Sequence, residues 1–189
     1  QREALLANPL LNFDRLMVVK RGAGQLGLPQ NWQGNCAIPG TGYDNEIAVL
    51  SPVRPDGKLT TFYKPDGGKF VGDVDLNFED DKLLFSSIGS HRRWQIFEMK
   101  ADGTGQTRLT TSAGYDGGPF FTPDGKKILW RRFDEQGLIA DVWMMNPDGS
   151  DKRQITNFKA MSWAPYMHAS GKYILFASNK LGFEVGLNV

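Results

Sequence analysis

Few residues of this 189-residue chain are of types that bind or transform a ligand. His91-Arg92-Arg93-Trp94 sets two guanidiniums and an imidazole beside an indole. Such a group grips an acidic ligand through charge-assisted hydrogen bonds. Its plainer alternative is a solvated loop in which Trp94 starts a strand. Leu28-Pro29-Gln30-Asn31-Trp32-Gln33-Gly34-Asn35-Cys36 offers Trp32 as an apolar platform, with Asn31, Gln33 and Asn35 as hydrogen-bonding groups. Alternatively, Trp32 anchors this stretch against a neighbouring unit. Tyr115, Asp116 and Trp163 complete the candidate set. Asp73 and Asp75 are comparably placed, and there the competing role is a bond to backbone or buried water.

Other chemistries lack the residues they need. Only two histidines and one cysteine are present, so an imidazole- or thiolate-based metal site and an internal disulfide are not expected. No Gly-x-Ser-x-Gly supports a serine nucleophile. Glu79-Asp80-Asp81 has the composition of a tight turn, where carboxylates serve backbone geometry rather than proton transfer. Gly22-Ala23-Gly24-Gln25-Leu26-Gly27 has glycines spaced like a phosphate loop, but Pro29 follows where a helix would have to begin. A formal net charge of +1 gives no electrostatic footprint for nucleic acid. No apolar run reaches the roughly 18 residues of a membrane span. The first residues lack a secretory core, and the chain begins without Met, so a processed or excised segment is expected.

The elements that position these residues repeat. Asp56-Gly57, Asp102-Gly103 and Asp148-Gly149 are each 46 residues apart. Each pair follows a short apolar stretch and precedes a polar one ending in Thr: Leu59-Thr60-Thr61, Arg108-Leu109-Thr110 and Gln154-Ile155-Thr156. A second element keeps the same register: Asp80-Asp81-Lys82-Leu83-Leu84-Phe85, Asp124-Gly125-Lys126-Lys127-Ile128-Leu129-Trp130 and Ser170-Gly171-Lys172-Tyr173-Ile174-Leu175-Phe176. Phe13 to Val18 is a weaker copy. Further strand candidates lie at 74–78, 118–121 and 163–167. Each unit thus offers four short strands, A to D, with Gly supplying the positive φ that tight hairpins require. A four-stranded antiparallel unit repeated at this period predicts an all-β fold, a β-propeller of about three and a half blades. A β-sandwich would also have short strands, but it has no reason to repeat at a fixed period.

The expected blades span about 13–68, 69–114, 115–160 and 161–189, the last partial, after a lead-in segment over 1–12. Propellers close with roughly four to eight blades. The reading therefore expects more chain, or a homo-oligomer that closes the ring. In a blade, the A–B and C–D turns share one face, and here they are short. The B–C and D–A connections share the other face, and the B–C ones vary: 20–44, 88–94, 133–140 and 178–183. Variable loops on a rigid scaffold are where binding residues collect. That face carries the candidates Asn31, Trp32, Asn35, His91, Arg92, Arg93, Tyr115, Asp116 and Trp163. Neither catalytic nor metal-ligating residues are expected, and no cofactor.

Gly118-Pro119-Phe120-Phe121-Thr122-Pro123-Asp124-Gly125-Lys126-Lys127-Ile128-Leu129-Trp130 resembles the repeat of TolB-type propellers, as does Val142 to Ser150 with Arg153-Gln154-Ile155-Thr156. The resemblance covers about residues 70–189. It implies a periplasmic or otherwise exported scaffold for a protein or peptide partner, with no nucleic acid and no membrane insertion. Related repeats also precede peptidase domains and occur in sugar-acid lyases. The first half, through Phe13-Asp14-Arg15-Leu16, Gly27 to Asn35, Tyr43-Asp44-Asn45-Glu46-Ile47 and Gly72-Asp73-Val74-Asp75, resembles the propeller region of hydrazine-synthase α-subunit-like proteins. Some members of that family carry c-type haems. This chain has no Cys-x-x-Cys-His, so no haem site carries over. The alternative expectation is thus the propeller portion of a larger exported enzyme whose catalytic residues lie outside this chain.

Overall fold

The computed structural model describes residues 13–26 and 39–181, and within them the repeat becomes four antiparallel sheets. The first is β1 (Leu16–Lys20), β2 (Glu46–Ser51) and β3 (Lys58–Tyr63), in that order. The second is β4 (Val71–Leu76), β5 (Lys82–Ile88), β6 (Trp94–Lys100) and β7 (Thr107–Arg108). The third is β8 (Asp116–Phe121), β9 (Ile128–Phe133), β10 (Ala140–Met145) and β11 (Arg153–Gln154). The last pairs β12 (Ser162–Met167) with β13 (Ile174–Ser178). Neighbours in each sheet are neighbours in sequence, as in a propeller blade. The lead-in segment over 1–12, residues 27–38 of the long first loop and the stretch after Leu181 lie outside the described residues.

The turns explain the repeat. In three blades the A–B hairpin has one construction, with a left-handed residue in its tip: Asp80 (φ 57), Gly125 (φ 66) and Gly171 (φ 68). Asn77, Thr122 and His168 occupy the matching position before it, and the side chain of each accepts backbone N–H bonds inside its turn. His168 is thus a turn residue. Glu79 and Asp81 accept from the Asn77 side-chain amide at 3.2 and 2.6 Å, and Asp80 takes the left-handed tip, so the acidic triplet lies within the turn. Gly103 (φ 85) and Gly149 (φ 82) take the left-handed conformation in two C–D turns. Gly57 does not. The first C–D turn carries a cis Ser51-Pro52 bond, and a Cβ at Gly57 would run into the Pro52 carbonyl oxygen. Here the Asp-Gly spacing persists for a different reason: close backbone approach instead of a positive φ.

Two of the threonines that end the D segments have a buried purpose, whereas Thr61 is exposed and donates to Glu46. Thr110 and Thr156 accept the N–H bonds of Ile96 and Val142 at 3.0 and 2.9 Å. Their hydroxyls replace the backbone ladder, so β7 and β11 are only two residues long. Each A strand is bulged at one place, with a left-handed residue at Asp73 (φ 50), Gly118 (φ 59) and Ala164 (φ 52). Such bulges re-aim side chains. The blades pack through three apolar clusters. Ile47 of the first sheet packs with Val71, Leu83, Phe85 and Met99 of the second. Leu84 and Ile96 of the second pack with Phe121, Ile128 and Trp130 of the third.

Candidate functional site

The third cluster underlies the loop-rich face. It is a column of rings crossing three blades: Tyr43, Phe70, Trp94, Tyr115 and Phe133. Phe70 and Trp94 stack at 3.9 Å and 7°; Trp94 meets Tyr115 at 5.3 Å, and Tyr115 meets Phe133 edge-on at 5.4 Å. Each ring comes from a strand end or a loop beside it, so the column fixes the connections of that face to the sheets. Trp94 is buried, and it starts β6 as the strand alternative for its cluster requires. The Phe70 and Tyr115 rings fold back over Gly72 and Gly117, where a Cβ would collide with them. Small residues are required there by the rings.

Two arginines cover this column. The Arg21 guanidinium lies 5.4 Å from the Phe70 ring centroid and donates to the Leu26 carbonyl at 2.8 Å. Arg131 lies 5.4 Å from the Tyr115 centroid and donates to the Tyr115 hydroxyl at 2.9 Å. Cation–π contacts of this kind favour both partners. Both guanidiniums border the bulge of β4: Arg21 lies beside Gly72, and Arg131 lies 4.0 Å from the Asp73 carboxylate. Asp73 accepts from the Gly118 N–H at 3.1 Å, and Asp75 accepts from the Phe121 N–H at 2.8 Å. These two carboxylates therefore tie the inner strand of one blade to the backbone of the next. Burial pushes the Asp75 carboxyl above the ordinary carboxylate range, against the opposing effect of the Phe121 bond.

Asp116 is fully buried at the start of β8. It accepts from Trp130 Nε1 at 2.8 Å, Arg132 Nε at 2.7 Å and the Ser112 hydroxyl at 2.5 Å. Arg132 also lies over the Trp143 ring at 4.3 Å. Tyr115 is buried in the column, so both residues lie beneath the face, and a partner would feel them through Arg131 and Arg132. Trp163 is partly buried against the same cluster. His91 and Arg92 are exposed and consecutively left-handed (φ 57 and 53), held between a Gly89–Arg93 backbone pair. Arg93 reaches the Glu135 carbonyl at 3.4 Å, linking the B–C loops of two blades. Asn31, Trp32 and Asn35 lie outside the described residues. Arg21 was not anticipated from sequence, because it stands at a strand end with no motif around it. Among the described residues, no group of three or more His, Cys, Asp or Glu side chains could hold a metal ion.

No family model matches the chain. An uncharacterized protein of Agrobacterium fabrum is 32% identical over 85 residues, which is 45% of this chain and 28% of that protein. Among solved structures, a TolB-type protein of Agrobacterium tumefaciens aligns at a TM-score of 0.57 and 25% identity, over 71% of this chain and 46% of its own. Hydrazine synthase of Kuenenia stuttgartiensis aligns at 0.61 and 14% identity, over 86% of this chain and 27% of its own. The chain thus spans less than half of each. The repeat resembles the TolB type, and the fold is that of a β-propeller.

Proposed function

We propose that this chain is a non-catalytic propeller scaffold that binds a protein or peptide partner on its loop-rich face. The observation that carries the reading is the ring column beneath exposed basic loops, which gives a rigid base to His91, Arg92 and Arg93. Rigid presentation lowers the ordering cost of binding. The buried polar groups on this face, Asp116 foremost, are engaged in holding the blades. In this reading Asn31, Trp32, Asn35 and Trp163 extend the contact surface, and Tyr115 and Asp116 position it. We assign the protein to the periplasm or another exported location, in keeping with the TolB resemblance.

The test is quantitative affinity capture from the source organism. His91→Ala/Arg92→Ala should lose the co-purifying partner, while Lys126→Ala/Lys172→Ala on the tight-turn face should keep it. Equal retention by both variants would remove the face assignment.

A second reading has one observation in its favour. The chain corresponds to about a quarter of the aligned hydrazine synthase chain. In this reading it is the propeller portion of a larger exported enzyme, a hydrolase or a hydrazine-synthase-like oxidoreductase, with catalytic residues elsewhere. Apolar side chains are exposed on the last sheet, among them Tyr166, Leu175 and Phe176. Further blades would cover them in this reading, and a second copy closing the ring would cover them in the first. The mass of the purified chain in solution separates these: a dimer supports closure between copies, and a monomer supports completion by further chain.

A further inference from the structure

Six Asp-Gly pairs stand in this chain: Asp56-Gly57, Asp66-Gly67, Asp102-Gly103, Asp116-Gly117, Asp124-Gly125 and Asp148-Gly149. Each has the atoms for a backbone rearrangement. The glycine nitrogen attacks the aspartyl Cγ, its proton and the carboxyl oxygen leave as water, and a cyclic succinimide forms. Water then opens the ring at either carbonyl. One opening returns aspartate, and the other leaves isoaspartate, whose chain runs through the side-chain carbons. Glycine favours the attack because it carries no Cβ to crowd it. The reaction needs a glycine N–H that is not already bound and a carboxyl able to turn onto it.

The fold denies those conditions at five of the six pairs. Gly57, Gly103, Gly125 and Gly149 donate their N–H groups to the carbonyls of Arg54, Lys100, Thr122 and Asn146 at 2.9, 2.9, 2.8 and 2.9 Å. Gly57 is also packed against the Pro52 carbonyl. The carboxylates of Asp102, Asp124 and Asp148 are held as well. Each accepts a hydroxyl bond at 2.6 Å, from Thr104, Thr122 and Ser150 respectively, and a backbone N–H bond besides. Those hydroxyl bonds keep the three carboxyls below the ordinary range, whereas loss of water proceeds from the protonated acid. Asp116 is fully buried and bound to Ser112, Trp130 and Arg132.

Asp66-Gly67 is the exception. It lies in the D–A connection between β3 and β4, in a 3₁₀ turn over Asp66–Gly68 that has no side-chain cap. Asp66 is exposed, and among the described residues no bond holds its carboxylate or the Gly67 N–H. A Cβ on Gly67 would meet nothing within 4 Å, so the carboxyl has room to reach the nitrogen. The next residue, Gly68, accepts the Tyr43 N–H at 3.0 Å, and Phe70 of the ring column follows.

We propose that Asp66-Gly67 is a spontaneous modification site, at which the folded protein converts aspartate to isoaspartate ahead of its other Asp-Gly pairs. The product carries one extra backbone methylene just before Gly68, so it loosens the Tyr43–Gly68 pairing on the loop-rich face. The inference is independent of what that face binds.

The test is ageing of the unaltered full chain at neutral pH, with isoaspartate located by peptide mapping and electron-transfer fragmentation. A parallel sample is aged unfolded in urea. In the folded protein isoaspartate should build up first at residue 66, at least about fivefold faster than at any other pair, the rate equivalent of the one hydrogen bond that the others must break. In urea the six rates should converge. Amide exchange at Tyr43 should quicken in the aged protein. Equal rates at all six pairs in the folded protein, earlier build-up at residue 56, 102, 116, 124 or 148, or the same ranking folded and in urea would overturn the site. Unchanged exchange at Tyr43 in protein carrying isoaspartate at 66 would overturn its consequence.

Discussion

Replacing Asp116 by alanine tests whether the loop-rich face is held from beneath. The carboxylate has no exposure and serves Ser112, Trp130 and Arg132 at once. The Arg132 side chain keeps only 20% exposure, so water cannot replace the lost partner fully. Removing one member of a buried ion pair costs about 3–5 kcal/mol, chiefly because the other charge stays behind. The orphaned Trp130 N–H acts in the same direction, without simple addition. For a chain of this size each kcal/mol is worth about 2–4 °C, so the melting temperature should fall by roughly 6–20 °C. Urea unfolding followed by tryptophan fluorescence measures the free-energy loss, and a thermal melt measures the shift. Asp116→Asn, which keeps an acceptor for the indole, should fall between wild type and alanine. Asp116→Ala/Arg132→Leu should lose less than the two single losses combined, with a coupling above about 1 kcal/mol. A loss under about 1 kcal/mol for the alanine variant, or strict additivity in the cycle, would refute the network.

Trp94→Ala should cost about 3–5 kcal/mol in the same unfolding assay, because it removes the central ring between Phe70 and Tyr115. Asp75→Asn keeps an acceptor for the Phe121 N–H while removing a carboxyl whose pKa burial raises. The protonated acid is the form the fold prefers. The Asp75 contribution is therefore complete below the unfolded carboxylate pKa and is lost as pH rises through the folded one. Unfolding measured across that range should show the variant gaining on wild type as pH increases; parallel pH profiles would contradict the burial.

The blade pattern was legible because its devices are local. The repeated hydrophobic stretches became strands, and Thr110 and Thr156 at the ends of two D segments supply the hydroxyls that cap β6 and β10. Asp56-Gly57 shows the limit: the same dipeptide at the same spacing serves a different backbone, in which Gly57 packs close against the Pro52 carbonyl. The site was legible only in outline. Sequence marks His91, Arg92 and Arg93 as charged loop residues. It does not show that Asp116 faces inward onto Trp130, because that orientation depends on Trp130 and Arg132 of the adjacent strand β9. Arg21 is silent in sequence for a similar reason. Its meaning comes from Phe70, a residue of another blade.

The account stands or falls on which face meets a partner. A photocrosslinking amino acid placed at Arg92 on the loop-rich face, and separately at Lys126 on the tight-turn face, tests this in the source organism. A discrete adduct from position 92, absent from position 126, is the predicted result. An adduct confined to position 126, or none from position 92 on folded protein, would contradict it.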